Sequence, residues 1–380
     1  MDEWSFFNPT SIEFSENSID TIGSIIDYQR VVLVTTPGFT QRGTVARVEK
    51  SLGDRLVGMF DNVKPNPDVE DIDATAELLR SYNPDCLMGL GGGSSLDTAK
   101  ALARILPMPE GMTLTDHFRK KTPLSGGRAL PIITIPTTAG TGAEVTPFAT
   151  IWDFRQKKKY SLTGNDLFPI KAFLDPALTY DLPELLTISS GLDAISHALE
   201  SVWNKNANPV SIGLATQSLP ISLETLPQLK KNPEELASRA AMMEASLLAG
   251  MAISQTRTAL AHSISYPLTL AFNLPHGIAC SFTLPAILRF NAYADDGRLK
   301  KLASCLGFGN IDKLANTLST LLLDLDVPNL FTDYVPDYKQ ALALTHEMLT
   351  PGRANNNLRP ANTADVYSIV EDACKHFRKL

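Results

Sequence analysis

The first half of the chain alternates short apolar runs with helix-patterned stretches. Arg30-Val31-Val32-Leu33-Val34-Thr35, Asp85-Cys86-Leu87-Met88-Gly89-Leu90 and Leu130-Pro131-Ile132-Ile133-Thr134-Ile135-Pro136 are apolar runs of strand length, which predicts buried strands. Between the first two, residues 68–82 carry Val69, Ile72, Ala76, Leu78 and Leu79 at helical intervals and stop at Asn83-Pro84, a helix breaker. Strand, helix and strand in that order predict a parallel βαβ unit, and its repetition a parallel sheet with helical crossovers. After Asp181-Leu182-Pro183 the strand-like runs give way to stretches rich in Ala, Leu, Ser and Met, such as residues 234–253 and 312–325. The expected organisation is an α/β domain over residues 1–183 and an all-α domain over residues 184–380.

Composition narrows the function classes. With 380 residues, 44% hydrophobic and 20% charged, the chain is an ordinary globular protein long enough for two domains. Lys and Arg number 34 against 41 Asp and Glu, a net charge of −7 without any long basic run, so no electrostatic footprint for nucleic acid is present. The start, Met1-Asp2-Glu3-Trp4, is acidic and is not followed by an apolar export segment. No run of about 18 uninterrupted apolar residues occurs. A cytoplasmic protein without a membrane partner is expected. Cys86, Cys280, Cys305 and Cys374 show no CxxC spacing and read as buried thiols rather than a disulfide or zinc framework.

Two loops suggest a ligand edge. Directly after the second strand comes Gly89-Leu90-Gly91-Gly92-Gly93-Ser94-Ser95-Leu96-Asp97-Thr98-Ala99-Lys100. Glycines leading into a helix let a ligand approach the backbone and leave first-turn N–H groups facing an anion such as a pyrophosphate. The spacing is not the GxGxxG fingerprint, so a tight turn without a ligand is the alternative. A second polar loop, Pro136-Thr137-Thr138-Ala139-Gly140-Thr141-Gly142-Ala143-Glu144, follows the third strand and so falls on the same carboxyl edge of the sheet.

In the second half, Gly191-Leu192-Asp193-Ala194-Ile195-Ser196-His197-Ala198-Leu199-Glu200 places Asp193 and His197 four residues apart on one face of an apolar helix. His262 and His276 also lie in apolar surroundings. Each histidine alone could be a satisfied core residue, but together with Asp193 they form a plausible one-Asp, three-His ligand set. Without a thiolate, that set suits Fe(II), Zn(II), Mn(II) or Co(II).

Taken in order, these motifs resemble the iron-containing (group III) alcohol dehydrogenase family through nearly the whole chain. The resemblance rests on Gly91-Gly92-Gly93-Ser94 with Asp97 and Lys100, Pro136-Thr137-Thr138 with Gly140-Thr141-Gly142 and Glu144, Asp175-Pro176, Gly191-Leu192-Asp193-Ala194 with His197 and Glu200, His262, and His276-Gly277. It implies a dehydroquinate synthase-like fold, with an N-terminal dinucleotide-binding α/β domain and a C-terminal helical metal-binding domain. Asp193, His197, His262 and His276 are implied as ligands to Fe(II), with Zn(II) possible in isolated protein. Gly91, Gly92, Gly93, Ser94, Asp97, Thr137, Thr138, Thr146, Lys159 and Leu178 match the positions of cofactor contacts. The family usually forms homodimers or larger oligomers.

Several positions particularise the resemblance. Members that prefer NAD carry an acidic residue after the first long strand, and here that place reads Thr35-Thr36-Pro37-Gly38. A repulsive charge against a 2′-phosphate is missing, so NADPH should be accepted, alongside NADH. Many members have a histidine four residues after the third ligand, whereas this chain has Tyr266. Tyr266 is the expected proton donor, a metal-bound water or a purely space-filling ring being the alternatives. The runs Val202-Trp203-Asn204-Lys205-Asn206-Ala207-Asn208-Pro209 and Gln255-Thr256-Arg257-Thr258-Ala259 resemble the phosphonate-metabolism branch, whose members reduce phosphonoacetaldehyde to 2-hydroxyethylphosphonate. A dianionic substrate needs cationic and amide donors, and Arg257, Lys205 and Asn204 are the expected contacts. A second polar cluster, Arg353-Ala354-Asn355-Asn356-Asn357-Leu358-Arg359, reads equally as part of the cleft or as a helix-linking surface loop. Reduction of sulfoacetaldehyde or of an uncharged short-chain aldehyde, and a dehydroquinate-synthase-like lyase reaction, are the rival expectations.

Overall fold

In a computed structural model, which describes residues 3–378, the three apolar runs become adjacent strands at the heart of a six-stranded sheet. The strands are β1 (Ser11–Phe14), β2 (Val31–Val34), β3 (Leu56–Phe60), β4 (Cys86–Gly91) and β5 (Ile132–Pro136). An antiparallel hairpin of β6 (Phe148–Asp153) and β7 (Lys158–Thr163) follows, and β8 (Lys171–Leu174) completes the sheet. The order is β1-β8-β5-β4-β2-β3, and every pairing in it is parallel. Successive residues of β2 face opposite cores. Val31 and Leu33 join a cluster with Met88, Leu90, Ile133 and Phe173, while Val32 and Val34 join one with Ile72, Leu87 and Leu102. Burial on both faces explains why these strands read as unbroken apolar runs.

The predicted helix forms as Val69–Arg80, with the Asp68 carboxylate capping it by accepting the Glu70 N–H. Strands β1 and β3 escaped the sequence pattern because both are sheet edges. They are at best half-buried, so they need no continuous apolar run. The winding reverses at β2, which pairs with β3 on one side and β4 on the other. Such a reversal is where open α/β sheets take ligands, at the carboxyl ends of the strands. The Thr35 side chain, just past β2, donates to the Leu90 carbonyl of β4 at 2.9 Å, joining the two loop origins at that point.

The α/β unit comprises Asn8–Thr138 and Ala143–Thr179. The helical unit begins at Tyr180, a few residues before the expected 183/184 division, and also takes the N-terminal segment through Phe7 and the Ala139–Gly142 loop. That loop belongs with the helices because its glycines press against them. A side chain on Gly140 would overlap the Ser190 backbone, and one on Gly142 would come within 2.5 Å of the Gly250 Cα. In the helical unit, Glu184–Val202, Pro209–Lys231 and Leu236–Thr256 pack on one another, followed by Leu260–Phe272 and His276–Ser281. Among the described residues, Leu236–Thr256 alone is long and apolar enough to cross a membrane by length and composition. Its apolar window is 56% buried inside the protein, as for a core helix. Cys86, Cys280 and Cys374 are buried as expected, whereas Cys305 is exposed, near the end of the amphipathic Arg298–Cys305 helix.

Candidate metal centre and dinucleotide turn

The Glu184–Val202 helix is apolar almost throughout, yet buries Asp193, His197 and Glu200 to 4%, 6% and 0% exposure. Spacings of four and three residues put them along one face. Leu260–Phe272 brings His262, and the start of His276–Ser281 brings His276, to the same carboxylate. The Nε2 atoms of His197, His262 and His276 lie 3.6, 3.3 and 3.9 Å from Asp193 Oδ1. The His197 and His262 rings stack at 4.8 Å, and His276 meets His262 edge-on at 5.2 Å. All four residues expected from the sequence therefore converge.

Their outer nitrogens fix how the rings face. His197 Nδ1 is 3.2 Å from the Gly140 carbonyl, and His262 Nδ1 is 2.7 Å from Glu200 Oε2. With Nδ1 held by these partners, Nε2 is the nitrogen that faces Asp193 and the one a bound metal would take. Glu200 also accepts the backbone N–H groups of Ala259, Ala261 and His262, so it orders the start of the Leu260–Phe272 helix as well as the ring. Gly277 allows His276 its place, because any side chain there would overlap the Ser189 carbonyl.

Electrostatics follow from burial and proximity. Burial alone would raise the Asp193 pKa, but the three imidazoles hold the carboxyl far below the usual range. Burial pushes His197 towards its neutral form. It acts the same way on His262, but the Glu200 and Asp193 carboxylates outweigh it and raise the pKa to about 10. Glu200, although buried, is held below its ordinary value by His262 and the backbone amides.

The donor set fits a divalent ion. His262 Nε2 is buried and makes no hydrogen bond. Four donors each about 2.1 Å from one centre at tetrahedral angles would stand about 3.4 Å apart, close to the separations from Asp193 Oδ1 given above. One further donor was missed from the sequence. Cys280 Sγ lies 3.4 Å from Asp193 Oδ1, and Asp193, His262, His276 and Cys280 offer ligand atoms within 4.8 Å of one another. Burial and then the Asp193 charge raise the Cys280 pKa well above its ordinary value, so the protonated thiol donates to Asp193. The signal was present as His276 and Cys280, four residues apart, the spacing of Asp193 and His197. Glu200 was likewise visible as a third charge on that helical face.

In the α/β unit, β4 ends at Gly91 and a helix runs from Gly93 to Ile105 with no side-chain cap; the Ser95 N–H donates to the Gly92 carbonyl, which leaves the Gly93 and Ser94 amides for a ligand. Gly91 has a φ of 144°, and a Cβ on it would come within 2.5 Å of Ser95 Oγ. A Cβ on Gly92 would come within 3.2 Å of Thr138 Cγ2. The Thr137 N–H donates to the Gly91 carbonyl at 3.0 Å. The two loops thus meet at a bare-backbone cradle over a helix N-terminus, a shape suited to pyrophosphate. Ser94 Oγ accepts the Asn66 N–H at 3.2 Å. Leu178 packs against the apolar cluster beneath β2 and β4, and Lys159 lies 5.1 Å from the centre of its cross-strand neighbour, the Trp152 ring.

Two of the expected cofactor residues make contacts within the α/β unit. Asp97 Oδ2 accepts the Thr150 N–H at 2.9 Å. The Thr146 hydroxyl and carbonyl accept from the buried Lys100 ammonium at 3.1 and 2.8 Å. They brace the turn from below, because a buried ammonium needs oxygen partners on all sides. The three expected anion contacts differ in burial. Asn204 is fully buried, donating to the Arg257 carbonyl at 2.9 Å and accepting the Asn206 N–H at 2.9 Å, so it shapes its loop. Arg257 is exposed, with a φ of 63° where the Leu236–Thr256 helix ends. The apolar character of its run belongs to Ala259, Leu260 and Ala261, which are buried. Lys205 is also exposed. Tyr266 is half-buried and accepts the Arg353 Nε–H at 3.2 Å.

Comparison with known proteins agrees with both halves of this picture. Residues 9–176 match the family described as iron-containing alcohol dehydrogenase, and residues 187–374 match the C-terminal part described as Fe-containing alcohol dehydrogenase family. An aldehyde-alcohol dehydrogenase of Streptococcus pneumoniae is 32% identical over 74% of this chain, which spans 33% of that longer relative. A phosphonoacetaldehyde reductase of Streptomyces viridochromogenes is 35% identical over 77% of this chain and 74% of its own length. Among solved structures, a sulfoacetaldehyde reductase of Bifidobacterium kashiwanohense in complex with NAD+ superposes with a TM-score of 0.91 at 29% identity. It covers 98% of this chain and 99% of its own.

Proposed function

The chain belongs to the iron-containing alcohol dehydrogenase family, and from that footing we propose that it reduces a small anionic aldehyde, phosphonoacetaldehyde foremost, to its primary alcohol with NADPH or NADH. The observation that carries this reading is the convergence of three imidazole Nε2 atoms on one buried carboxylate oxygen. When bound there, Fe(II) polarises a carbonyl as a Lewis acid, and the nicotinamide supplies hydride. Asp193, His197, His262 and His276 hold the ion, and Glu200 keeps the His262 tautomer. The Gly91-Gly92-Gly93-Ser94 turn and Thr138 hold the pyrophosphate. Tyr266 Oη gives the proton that completes the alcohol, with the Arg353 N–H placed where negative charge then collects.

The anionic substrate is supported by likeness to proteins named for phosphonoacetaldehyde and sulfoacetaldehyde. Both names describe acetaldehyde carrying a terminal oxyanion group, and sulfoacetaldehyde is therefore the second reading. A panel of phosphonoacetaldehyde, sulfoacetaldehyde and propionaldehyde, run with NADPH and NADH on protein reconstituted with Fe(II) or Zn(II), tests it. The expected result is highest kcat/KM for phosphonoacetaldehyde with iron and stoichiometric oxidation of NADPH. Preference for propionaldehyde would defeat the anionic reading, and turnover without net NADPH consumption would point to a lyase.

A further inference from the structure

We infer that Arg353 is the specificity-determining residue that binds the anionic end of the substrate; this rests on the function proposed above. Arg353 is half-buried, and its Nε–H donates to Tyr266 Oη at 3.2 Å. Among the described residues no carboxylate pairs with it, so a neutral phenol is its side-chain partner and the outer N–H groups of the fork remain open. A partly desolvated guanidinium in that state favours an anion, and its planar fork matches two oxygens of a phosphonate or sulfonate.

Neighbouring arginines lack this combination. Arg359 stacks on Phe290 at 4.1 Å, Arg298 is paired with Asp296 at 2.6 Å, and Arg257 is exposed.

The place is also right. Tyr266 follows His262 by four residues on the Leu260–Phe272 helix, so the phenol projects from the imidazole's side about 6 Å further along the axis. A two-carbon aldehyde with its carbonyl end at the Asp193 cluster needs a cation one short molecule away. The loop carrying Arg353 is sewn to the same helix. Ser263, adjacent to His262, accepts the Thr350 N–H at 2.8 Å and donates to the Met348 carbonyl at 2.6 Å. Beyond Arg353, Asn356 donates to the Thr258 carbonyl at 2.9 Å and accepts the Lys205 N–H at 2.8 Å. A fork held on a tied loop is preorganised, which a solvent-exposed arginine is not.

The test uses the full iron-loaded protein and three variants: Arg353→Gln, Arg353→Lys and Arg257→Gln. The quantity read is the ratio of kcat/KM for phosphonoacetaldehyde to that for propionaldehyde. Arg353→Gln should lower the ratio roughly a hundredfold, mainly through KM. Arg353→Lys should recover part of it, and Arg257→Gln should leave it within about threefold. Inorganic phosphate, titrated calorimetrically with the dinucleotide site saturated by NADP+, should bind wild type and fail to bind Arg353→Gln. An unchanged ratio in Arg353→Gln, or equal losses on both aldehydes with phosphate binding intact, overturns the assignment. If wild type itself prefers propionaldehyde but binds phosphate through Arg353, the anion site stands and only the substrate reading falls.

Discussion

Glu200 holds His262 twice, accepting from ring Nδ1 at 2.7 Å through one carboxylate oxygen and from the backbone N–H at 3.3 Å through the other. The grip sets both the tautomer and the ring plane, and partners of this kind typically contribute 10–100-fold in metal affinity. Glu200→Gln keeps the size but presents an amide to Nδ1. Its affinity for Fe(II) and Zn(II), measured by competition with a chromophoric chelator, should fall by about that factor, with NADPH binding retained. An affinity equal to wild type would remove Glu200 from the centre.

Tyr266→Phe removes the phenol and keeps the ring. If Oη delivers the proton, kcat for aldehyde reduction should drop roughly a hundredfold for charged and uncharged aldehydes alike. Metal content should match wild type, because Tyr266 is not among the residues converging on Asp193. Full activity of Tyr266→Phe would assign the proton to a water.

In the reading proposed above, Thr36 takes the place from which an acidic residue would exclude a 2′-phosphate. It directly follows Thr35, whose hydroxyl ties the end of β2 to β4 beside the glycine turn, and it precedes the Pro37–Gln41 helix without capping it. Thr36→Asp should lower kcat/KM for NADPH more than tenfold relative to NADH, by placing a carboxylate against the phosphate. Equal effects on the two cofactors would place the adenosine end elsewhere.

How much of this was legible in the sequence depended on how each residue signals. Strands β2, β4 and β5 were readable because both faces are buried, whereas β1 and β3 at the edges left no such trace. Asp193, His197, His262 and His276 stood out as charges in apolar surroundings. The same criterion says less about Arg257, because a short run cannot show that the helix ends there and leaves this residue exposed. Asn204 looked like a neutral donor for a ligand, but its side chain donates to the Arg257 carbonyl, 53 positions away, and accepts the nearby Asn206 N–H. Arg353 was visible only as part of a polar cluster, since its phenol partner lies 87 positions away.

The buried charges beneath the glycine turn make stability depend on pH in a direction that can be fixed in advance. Glu144 is 2% exposed, and burial pushes its pKa from 4.5 to about 7 despite the nearby Lys100. Asp97 is raised to about 6 by the same cause, and burial brings Lys100 down to about 8. A carboxyl whose folded pKa exceeds its unfolded value favours the folded state below the unfolded pKa, and that contribution is lost as pH rises through the folded pKa. Glu144 and Asp97 therefore weaken the fold as pH rises from about 4 to 7. Lys100 imposes its cost up to about pH 8, and the cost is relieved above that, so it stays outside the window. Glu144→Gln removes the larger part of the slope while keeping the shape of the side chain. Relative to pH 5, the variant should be more stable than wild type at pH 7.5 by on the order of 2–3 kcal/mol, read by thermal or urea unfolding at both values. Parallel pH profiles for the two proteins would mean that Glu144 keeps its ordinary acidity in the fold.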